Sequence, residues 1–364
     1  MELNQFATIH LDKTFFSEKE KILVENGEIS ASAFLYESGV HALNIKNKRG
    51  EITILPYQGQ QIWSCIFDNR NLTMKTMLNQ PYPTQMFLNT YGGFLLHCGA
   101  TAMGVPSDDD NHPLHGELPN APYQKAFLKV GHDKNGRYIE IGGQYHHIVS
   151  FNHNYLAEPY IKLYENSSIL NVSMSITNLK DSDMEYMYLM HINFRPEDGS
   201  KLIYNAGRNP GDVMVHVIPS DIEASPEKVK FNEFLKNLEL DPRLHDNLRP
   251  EFIYNPEIVF TVKYSSDDEG KAYSMQVHPD GFADYVCHRP SELNYGIRWI
   301  ARTKNEDAIG LLLPATAEHR GYSAEKKKGN IKILAAGEKV EFHVEAGLLN
   351  PQEAMAVKNR IASM

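Results

Sequence analysis

Several common sequence features are scarce or missing, and each absence excludes a class of protein. The 364 residues include three cysteines, Cys65, Cys98 and Cys287, without CxxC spacing. This argues against both a disulfide framework and a zinc knuckle. No apolar run approaches the roughly 20 residues of a membrane span, and the N-terminus lacks the basic and apolar regions of a signal peptide. We therefore expect a cytoplasmic protein with no membrane partner.

Positive charge is also in short supply. Lys and Arg together number 36 against 46 Asp and Glu, which gives a formal net charge of −10. Because nucleic-acid affinity depends on neutralising phosphates, no nucleic-acid partner is expected. Motifs for dinucleotides, phosphate loops, metalloproteases and serine hydrolases are absent, and the 16 histidines lack the spacing of a helical zinc pair. The sequence thus predicts neither a cofactor nor a metal.

Aromatic and turn-forming residues are plentiful, which favours short strands over long helices. The chain has 19 Tyr, 16 Phe, 24 Gly and 19 Pro. Apolar patterns predict strands at 21–25, 28–36, 40–46, 60–67, 168–178, 258–264, 272–277, 309–313 and 340–347. Helical spacing is confined to 226–240 and the tail at 351–364. We therefore expect an all-β fold, with one large antiparallel β-sandwich over residues 1–364; two packed domains are the alternative.

The segment 168–178 has the cleanest strand pattern. Leu170, Val172, Met174 and Ile176 alternate with polar residues. Since successive side chains of a strand point to opposite faces, the apolar row is expected to lie on the core.

Three segments combine polar residues with apolar surroundings, at 90–123, 185–198 and 309–322. They contain HPLHG (112–116), MHINF (190–194) and GLLLPAT (310–316). The order of HPLHG, of the stretch 171–194 that ends in MHINF and of the stretch 310–338 that begins with GLLLPAT resembles that in the galactose mutarotase superfamily, in its aldose-1-epimerase-like DUF4432 branch, over about residues 20–348. The resemblance implies a β-supersandwich with a concave sugar-binding face.

The resemblance also implies an acid–base mechanism. In mutarotases a histidine protonates the ring oxygen of the sugar and a glutamate removes the proton of the C1 hydroxyl. By this resemblance His191 is the acid and His115 the partner of the ring oxygen or of a hydroxyl. The position of the glutamate holds Leu313, which cannot accept a proton. Glu318, five residues further on, is the candidate for a replacement base.

The remaining candidates concern substrate binding. His97 stands where relatives carry an arginine, and Glu257 stands where they carry a hydroxyl-binding aspartate. Asn193 and Arg195 follow His191 and are candidates for holding hydroxyls or an acid group; a surface salt bridge is the alternative for Arg195. Trp299 is a candidate platform for a pyranose ring, with a place in the core as the alternative.

Two classes of function compete. The first is an isomerase that resembles aldose 1-epimerase and acts on a small-molecule sugar without cofactor or metal; this is the prediction we adopt. The second is a non-catalytic carbohydrate-binding protein of the same fold, favoured by Leu313. A lyase or isomerase with rearranged acid–base groups is a third alternative. The oligomeric state stays open, a homodimer included. We expect His97, His115, His191, Glu257 and Glu318 to line one concave surface.

Overall fold

Strands dominate the architecture, as the turn and aromatic content predicts. The computed structural model describes residues 5–216 and 226–364, and these ranges contain 22 strands, numbered β1 to β22 along the chain, and three α-helices. All strand pairs between neighbours of the two main sheets are antiparallel. The all-β prediction is confirmed.

One sheet has nine strands. In spatial order they are β1 (Gln5–His10), β9 (Lys125–Asp133), β10 (Gly136–Val149), β11 (His153–Tyr164), β12 (Ile169–Asn178), β22 (Lys339–Leu349), β18 (Ala283–His288), β17 (Ala272–Val277) and β14 (Lys201–Tyr204). The long strands β9 to β11 were not predicted from the sequence.

The other sheet has thirteen strands. Its path runs through β15 (Val213–His216), β16 (Ile258–Val262), β19 (Tyr295–Arg302), β20 (Asp307–Ala315), β13 (Met184–Ile192), β8 (Leu95–Ala100), β6 (Ile62–Phe67), β5 (Gly50–Ile54), β4 (His41–Lys46), β3 (Ile29–Leu35) and β2 (Lys21–Asn26). Two short strands complete it, since β21 (Lys332–Leu334) pairs with β13 and β7 (Arg70–Asn71) pairs with β6. The predicted hairpin at 21–36 is β2 and β3, with Gly27 at φ 71° in the turn.

Three helices accompany the sheets in the described ranges, and the last of them packs against the strands β14, β17 and β22. α1 (Pro226–Leu240) confirms the helical spacing at 226–240 and buries four apolar side chains. α3 (Pro351–Ala362) begins with a capping box formed by Asn350 and Glu353, which satisfies free backbone donors of the first turn. α2 (Tyr322–Lys328) was not predicted, and three 3-10 turns lie at Lys13–Phe15, Phe87–Thr90 and Pro242–Asp246.

The hydrophobic core lies between the two sheets. In β12 the predicted apolar row is buried while Asn171 is exposed, which confirms the alternation. Tyr188 of β13 stacks on Phe342 of β22 with ring centroids 4.7 Å apart. Arg298 of β19 donates to the Ser274 hydroxyl of β17 at 3.1 Å. These contacts identify which face of the thirteen-stranded sheet points inward.

The opposite face of that sheet carries the candidate site. Leu189 pairs with Ala315, and Ile297 pairs with Leu313. Because alternate residues share a face, His191 and Leu313 both point away from the nine-stranded sheet. Trp299, through its pairing with Val259, lies on the same face.

Within the two described ranges no helix has both the length and the apolar character needed to cross a bilayer.

Candidate functional site

Two histidines from distant segments meet on the outward face. The rings of His115 and His191 are perpendicular, with centroids 5.3 Å apart. His191 lies near the end of β13, opposite Leu96 of β8. His191 is 5% exposed and His115 is half-buried. The two histidines that the sequence motifs selected are therefore neighbours.

The backbone holds His115 in a tight turn. It has a left-handed φ of 62°, its N–H donates to the Gly104 carbonyl at 3.0 Å, and its carbonyl accepts from the Gly99 N–H at 2.9 Å. Gly116 follows with φ 81°, and a Cβ there would lie 2.2 Å from the Ala102 carbonyl oxygen. Only glycine fits this position, so the HG pair of the motif fixes the direction of the imidazole.

An aromatic wall surrounds the two imidazoles. Phe87 lies 4.8 Å from the His115 ring, and Tyr91 and Trp299 lie 5.8 Å and 5.4 Å from the His191 ring, measured between centroids. Phe87 and Tyr91 come from the connection before β8, and Trp299 comes from β19. Aromatic rings beside polar groups are suited to binding the apolar face of a sugar ring.

Asn193 determines which nitrogen of His191 carries the proton. Its side-chain N–H donates to the Gly93 carbonyl at 2.9 Å, so its oxygen faces the ring. That oxygen accepts from the Tyr91 hydroxyl at 3.2 Å and lies 2.7 Å from Nδ1 of His191. Nδ1 must therefore donate, and Nε2 keeps its lone pair. Asn193 is fully buried and positions His191, so the prediction that it contacts substrate does not fit the geometry.

Burial keeps both imidazoles uncharged. It lowers the pKa of His191 to about 4, although the hydrogen bond with Asn193 partly offsets the shift. It also lowers the pKa of His115 well below 6.5, and the neighbouring imidazoles of His191, His319 and His112 lower it further. Nδ1 of His115 is buried and has no hydrogen-bond partner within the described part of the chain. At neutral pH the pair supplies proton acceptors rather than cations.

Glu257 and Trp299 extend the site. The indole N–H of Trp299 donates to the Glu257 carboxylate, which is half-buried. The charge of Glu257 contributes, after burial and Cys98, to raising the pKa of Tyr91 well above 10. A carboxylate thus lies beside the aromatic wall, as the sequence suggests.

Glu318 lies in a neighbouring cluster on the same face. Its carboxylate accepts from Lys328 at 2.5 Å and from the Thr261 hydroxyl at 3.2 Å. Burial raises the pKa of Glu318, but the hydrogen bond and charge of Lys328 outweigh this and leave the pKa below 4.5. Both oxygens are engaged, which argues against Glu318 as the free general base suggested by the sequence.

His216, His319 and Arg320 complete this cluster. His216 lies 2.7 Å from the Thr261 hydroxyl through Nε2 and 3.4 Å from an Arg320 nitrogen through Nδ1. The His216 and His319 rings have centroids 5.1 Å apart. The sequence did not indicate His216 as a site residue, because its partner Arg320 lies more than 100 residues away along the chain.

The structure places His97 elsewhere, so its predicted position on the concave surface is wrong. His97 pairs with Met190 and therefore points to the face opposite that of His191. Its Nδ1 lies 2.7 Å from the Tyr188 hydroxyl, between the two sheets, and its side chain is fully buried. Because adjacent residues of a strand point to opposite faces, a shift of one residue separates His97 from the outward face that carries His191.

Arg195 also lies outside the site. It is exposed and lines a surface groove of about 420 Å³ together with Arg70, Glu197, His278 and Asp284. None of these residues contacts the His115–His191 pair. Its predicted role in substrate binding does not fit this position.

Sequence reasoning missed Phe87, Tyr91 and Thr261. Tyr91 directly precedes Gly92-Gly93 in the polar segment 90–123, so its position beside these glycines could have indicated it as a site residue. Thr261 looks like an ordinary strand residue and carries no such signal.

Residues 5–216 and 226–364 contain no group of three or more His, Cys, Asp or Glu side chains arranged to hold a metal ion. The three cysteines are buried and unpaired.

Comparisons with known structures show the same architecture. A Klebsiella pneumoniae protein provisionally named an aldose 1-epimerase superposes with a TM-score of 0.82 at 17% identity, over 99% of this chain and 96% of its own. A galactose mutarotase-like protein from Clostridium acetobutylicum superposes with a TM-score of 0.60 at 14% identity, over 89% of this chain and 100% of its own. At these identities the likeness shows the fold alone. Among curated proteins, none matches this chain.

Sequence similarity gives the family. The family model described as Domain of unknown function (DUF4432) matches residues 37–348, most of the chain. The three motifs and the His115–His191 pair lie within that range. The protein therefore belongs to the DUF4432 family and has a galactose mutarotase-like fold.

Proposed function

We propose that this protein binds a free sugar at the His115–His191 pair and interconverts its anomers, as an isomerase resembling aldose 1-epimerase. One observation carries the proposal: two uncharged imidazoles meet 5.3 Å apart, edge to face, beside an aromatic wall. Acid–base chemistry on a sugar needs a proton acceptor next to an apolar platform. The names of the mutarotase-like structural neighbours are consistent with this chemistry.

The first proton transfer goes to His191. Its Nε2 lone pair accepts the proton of the C1 hydroxyl, because Asn193 holds the other ring nitrogen as a donor. This reverses the direction expected from the family resemblance, which makes His191 the acid of the resting enzyme. The low pKa, about 4, explains the reversal, since the resting imidazole is neutral at pH 7.

The second transfer completes ring opening. The His191 imidazolium formed in the first step is a strong acid, because burial disfavours its charge. It delivers the proton to the ring oxygen as the C1–O5 bond breaks and its electron pair stays on O5, leaving the aldehyde at C1. His115 donates a hydrogen bond to the ring oxygen, and Glu257 accepts from a sugar hydroxyl. Rotation about the C1–C2 bond and the reverse steps give the other anomer.

The test is anomer exchange measured by NMR over a panel of free sugars. A positioned acid–base group contributes about 10²–10⁴-fold to a rate. We expect His191→Gln to remove an acceleration of that order while sugar affinity, measured by calorimetry, stays largely intact. His132→Gln makes the same chemical change at an exposed position of β9 and is expected to retain full activity.

Two outcomes contradict parts of the proposal. Acceleration that survives in His191→Gln excludes His191 as the proton acceptor. Sugar binding without acceleration by the wild-type protein excludes the isomerase.

The second outcome favours a non-catalytic carbohydrate-binding protein, and one observation supports that alternative. Leu313 is 2% exposed and shares the outward face with His191, at the position where mutarotases carry the glutamate base. An apolar side chain there removes one proton acceptor from the site. The exchange measurement separates the two functions, since both predict sugar binding and only the first predicts faster exchange.

A further inference from the structure

Arg320 differs from Lys328, the other cation of its cluster, in having no carboxylate partner among the residues that the structure describes. Lys328 lies 2.5 Å from Glu318 and 2.8 Å from Glu325, so both neighbouring carboxylates are engaged with it. Arg320 is half-buried and forms no ion pair with any carboxylate in residues 5–216 and 226–364. Among the described residues, its guanidinium has one hydrogen-bond partner, the neutral acceptor Nδ1 of His216, at 3.4 Å.

A directed chain of hydrogen bonds positions this guanidinium. The Thr261 hydroxyl donates to Glu318, so its oxygen accepts from Nε2 of His216. Nδ1 of His216 is then left as an acceptor for Arg320. His216, Thr261 and Trp299 share the outward face of the thirteen-stranded sheet, since His216 pairs with Val259 and Val259 pairs with Trp299. Arg320 is thereby held over the face that carries the His115–His191 pair.

His319 supplies a second and independent observation. It is 8% exposed, yet neither ring nitrogen has a hydrogen-bond partner among the described residues. Leaving buried polar nitrogens unpaired is unfavourable, so such groups in a site are typically completed by a ligand. The backbone ties this ring to the catalytic pair: Val105 N–H donates to the His319 carbonyl at 2.9 Å, and the adjacent Gly104 carbonyl accepts from His115.

We propose that the sugar bound at this site carries an anionic group, and that Arg320 and His319 bind it. The inference rests on the proposed function and narrows its substrate class to acidic sugars, either uronates or sugar phosphates. A guanidinium presents paired donors that match the oxygens of a carboxylate or phosphate. The imidazole N–H of His319 supplies a further donor, and the salt bridge with Lys328 reduces repulsion by Glu318.

The experiment compares matched sugars on two variants. Calorimetry measures the binding of a neutral hexose, the corresponding hexuronate and the hexose 6-phosphate, in the gluco, galacto and manno series. Hydrogen bonds to a charged group are strong, so we expect Arg320→Gln to weaken binding of the acidic sugar about tenfold or more. Binding of the neutral hexose is expected to change less than about threefold. Arg137→Gln, at an exposed position of β10, is the matched control and is expected to change neither.

The sugars of the panel distinguish a carboxylate from a phosphoryl group. They also distinguish failure of the anion proposal from failure of the proposed isomerase. Preference for the uronate identifies a carboxylate, and preference for the phosphate identifies a phosphoryl group. Equal binding of neutral and acidic sugars, or an acidic preference that Arg320→Gln leaves unchanged, overturns the anion proposal and leaves the isomerase standing.

A sugar-free measurement covers the case in which no sugar of the panel binds. Inorganic phosphate and acetate are titrated while the imidazole resonances of His319 are followed by NMR. A saturable shift that Arg320→Gln abolishes supports the anion site even where the proposed isomerase fails. No shift with either anion overturns the site.

Discussion

His191 and His278 are equally buried, and their surroundings shift their pKa values in opposite directions. Each is 5% exposed and lies at the end of a strand. Aromatic rings and an amide surround His191, so burial lowers its pKa to about 4. His278 lies 3.3 Å from Asp284 and 3.1 Å from Glu197. Burial alone would lower the pKa of His278, but these carboxylates outweigh it and raise the pKa above 6.5.

The difference shows that burial does not by itself set the role of a histidine. Without a carboxylate partner, a buried imidazole stays neutral and offers a lone pair for proton transfer. Between two carboxylates its protonated form is favoured, and the charged ring then links the segments that carry those carboxylates. His278 joins the segment at Glu197, which follows β13 of one sheet, to Asp284 in β18 of the other. The surroundings of His191 therefore suit proton transfer, whereas those of His278 suit stabilisation of the fold.

The largest expected effect is on the free energy of unfolding, and it follows from removing Asp284, the carboxylate that raises the pKa of His278. Asp284 is 2% exposed and accepts from Gln276 at 2.5 Å as well as facing His278. Removing one member of a buried ion pair leaves the other unpaired, so Asp284→Ala is expected to lower the free energy of unfolding by about 3 kcal/mol or more. Urea unfolding monitored by fluorescence measures the change. Asp181→Ala, at an exposed position, is the control, and an effect of similar size there contradicts the assignment.

The second prediction is that the two histidines give opposite pH dependence. The folded pKa of His191 is depressed, so the unfolded state binds more protons below about pH 6.5, and stability falls by about 3 kcal/mol toward pH 4. The folded pKa of His278 is raised, so its contribution is complete below pH 6.5 and is lost as the pH rises through the folded pKa.

The test measures the free energy of unfolding as a function of pH for the wild-type protein, His191→Gln and His278→Gln. His191→Gln is expected to flatten the acid side of the profile, and His278→Gln is expected to flatten the alkaline side. If both variants flatten the same side, the contrast between the two environments is wrong.

The smallest expected effect is a change in the pKa of His191 when it is given a carboxylate neighbour, as His278 has. Asn193→Asp places a carboxylate 2.7 Å from Nδ1 of His191. A nearby opposite charge favours the protonated imidazole, so the pKa of His191 is expected to rise by about 1 unit or more. NMR titration of the histidine resonances measures it, with His278 in the same spectrum as an internal control. An unchanged pKa of His191 means that the amide contact does not control its protonation.

Parts of the fold followed from local pattern. The alternation around Leu170 and the turn at Gly27 predicted a strand and a hairpin because backbone geometry alone relates spacing to face. In β11 every second residue from Tyr155 to Leu163 is buried, but the intervening row includes Leu156 and Tyr160, so the residue types do not show the alternation that the burial follows. α2 is too short to show helical periodicity, and neither element was predicted. The pair of His115 and His191 could be selected from motifs, but their contact could not.

Local sequence pattern was enough to predict the all-β class, and the family motifs were enough to select His115 and His191 as candidate residues. Long-range packing alone placed His97 toward the core, paired Glu318 with Lys328 and left Arg320 without a carboxylate partner among the described residues. The physical reason is that local spacing specifies which residues alternate, whereas strand register specifies which face each row occupies. The charge on a side chain then depends on groups that arrive from distant segments, as Asp284 does for His278.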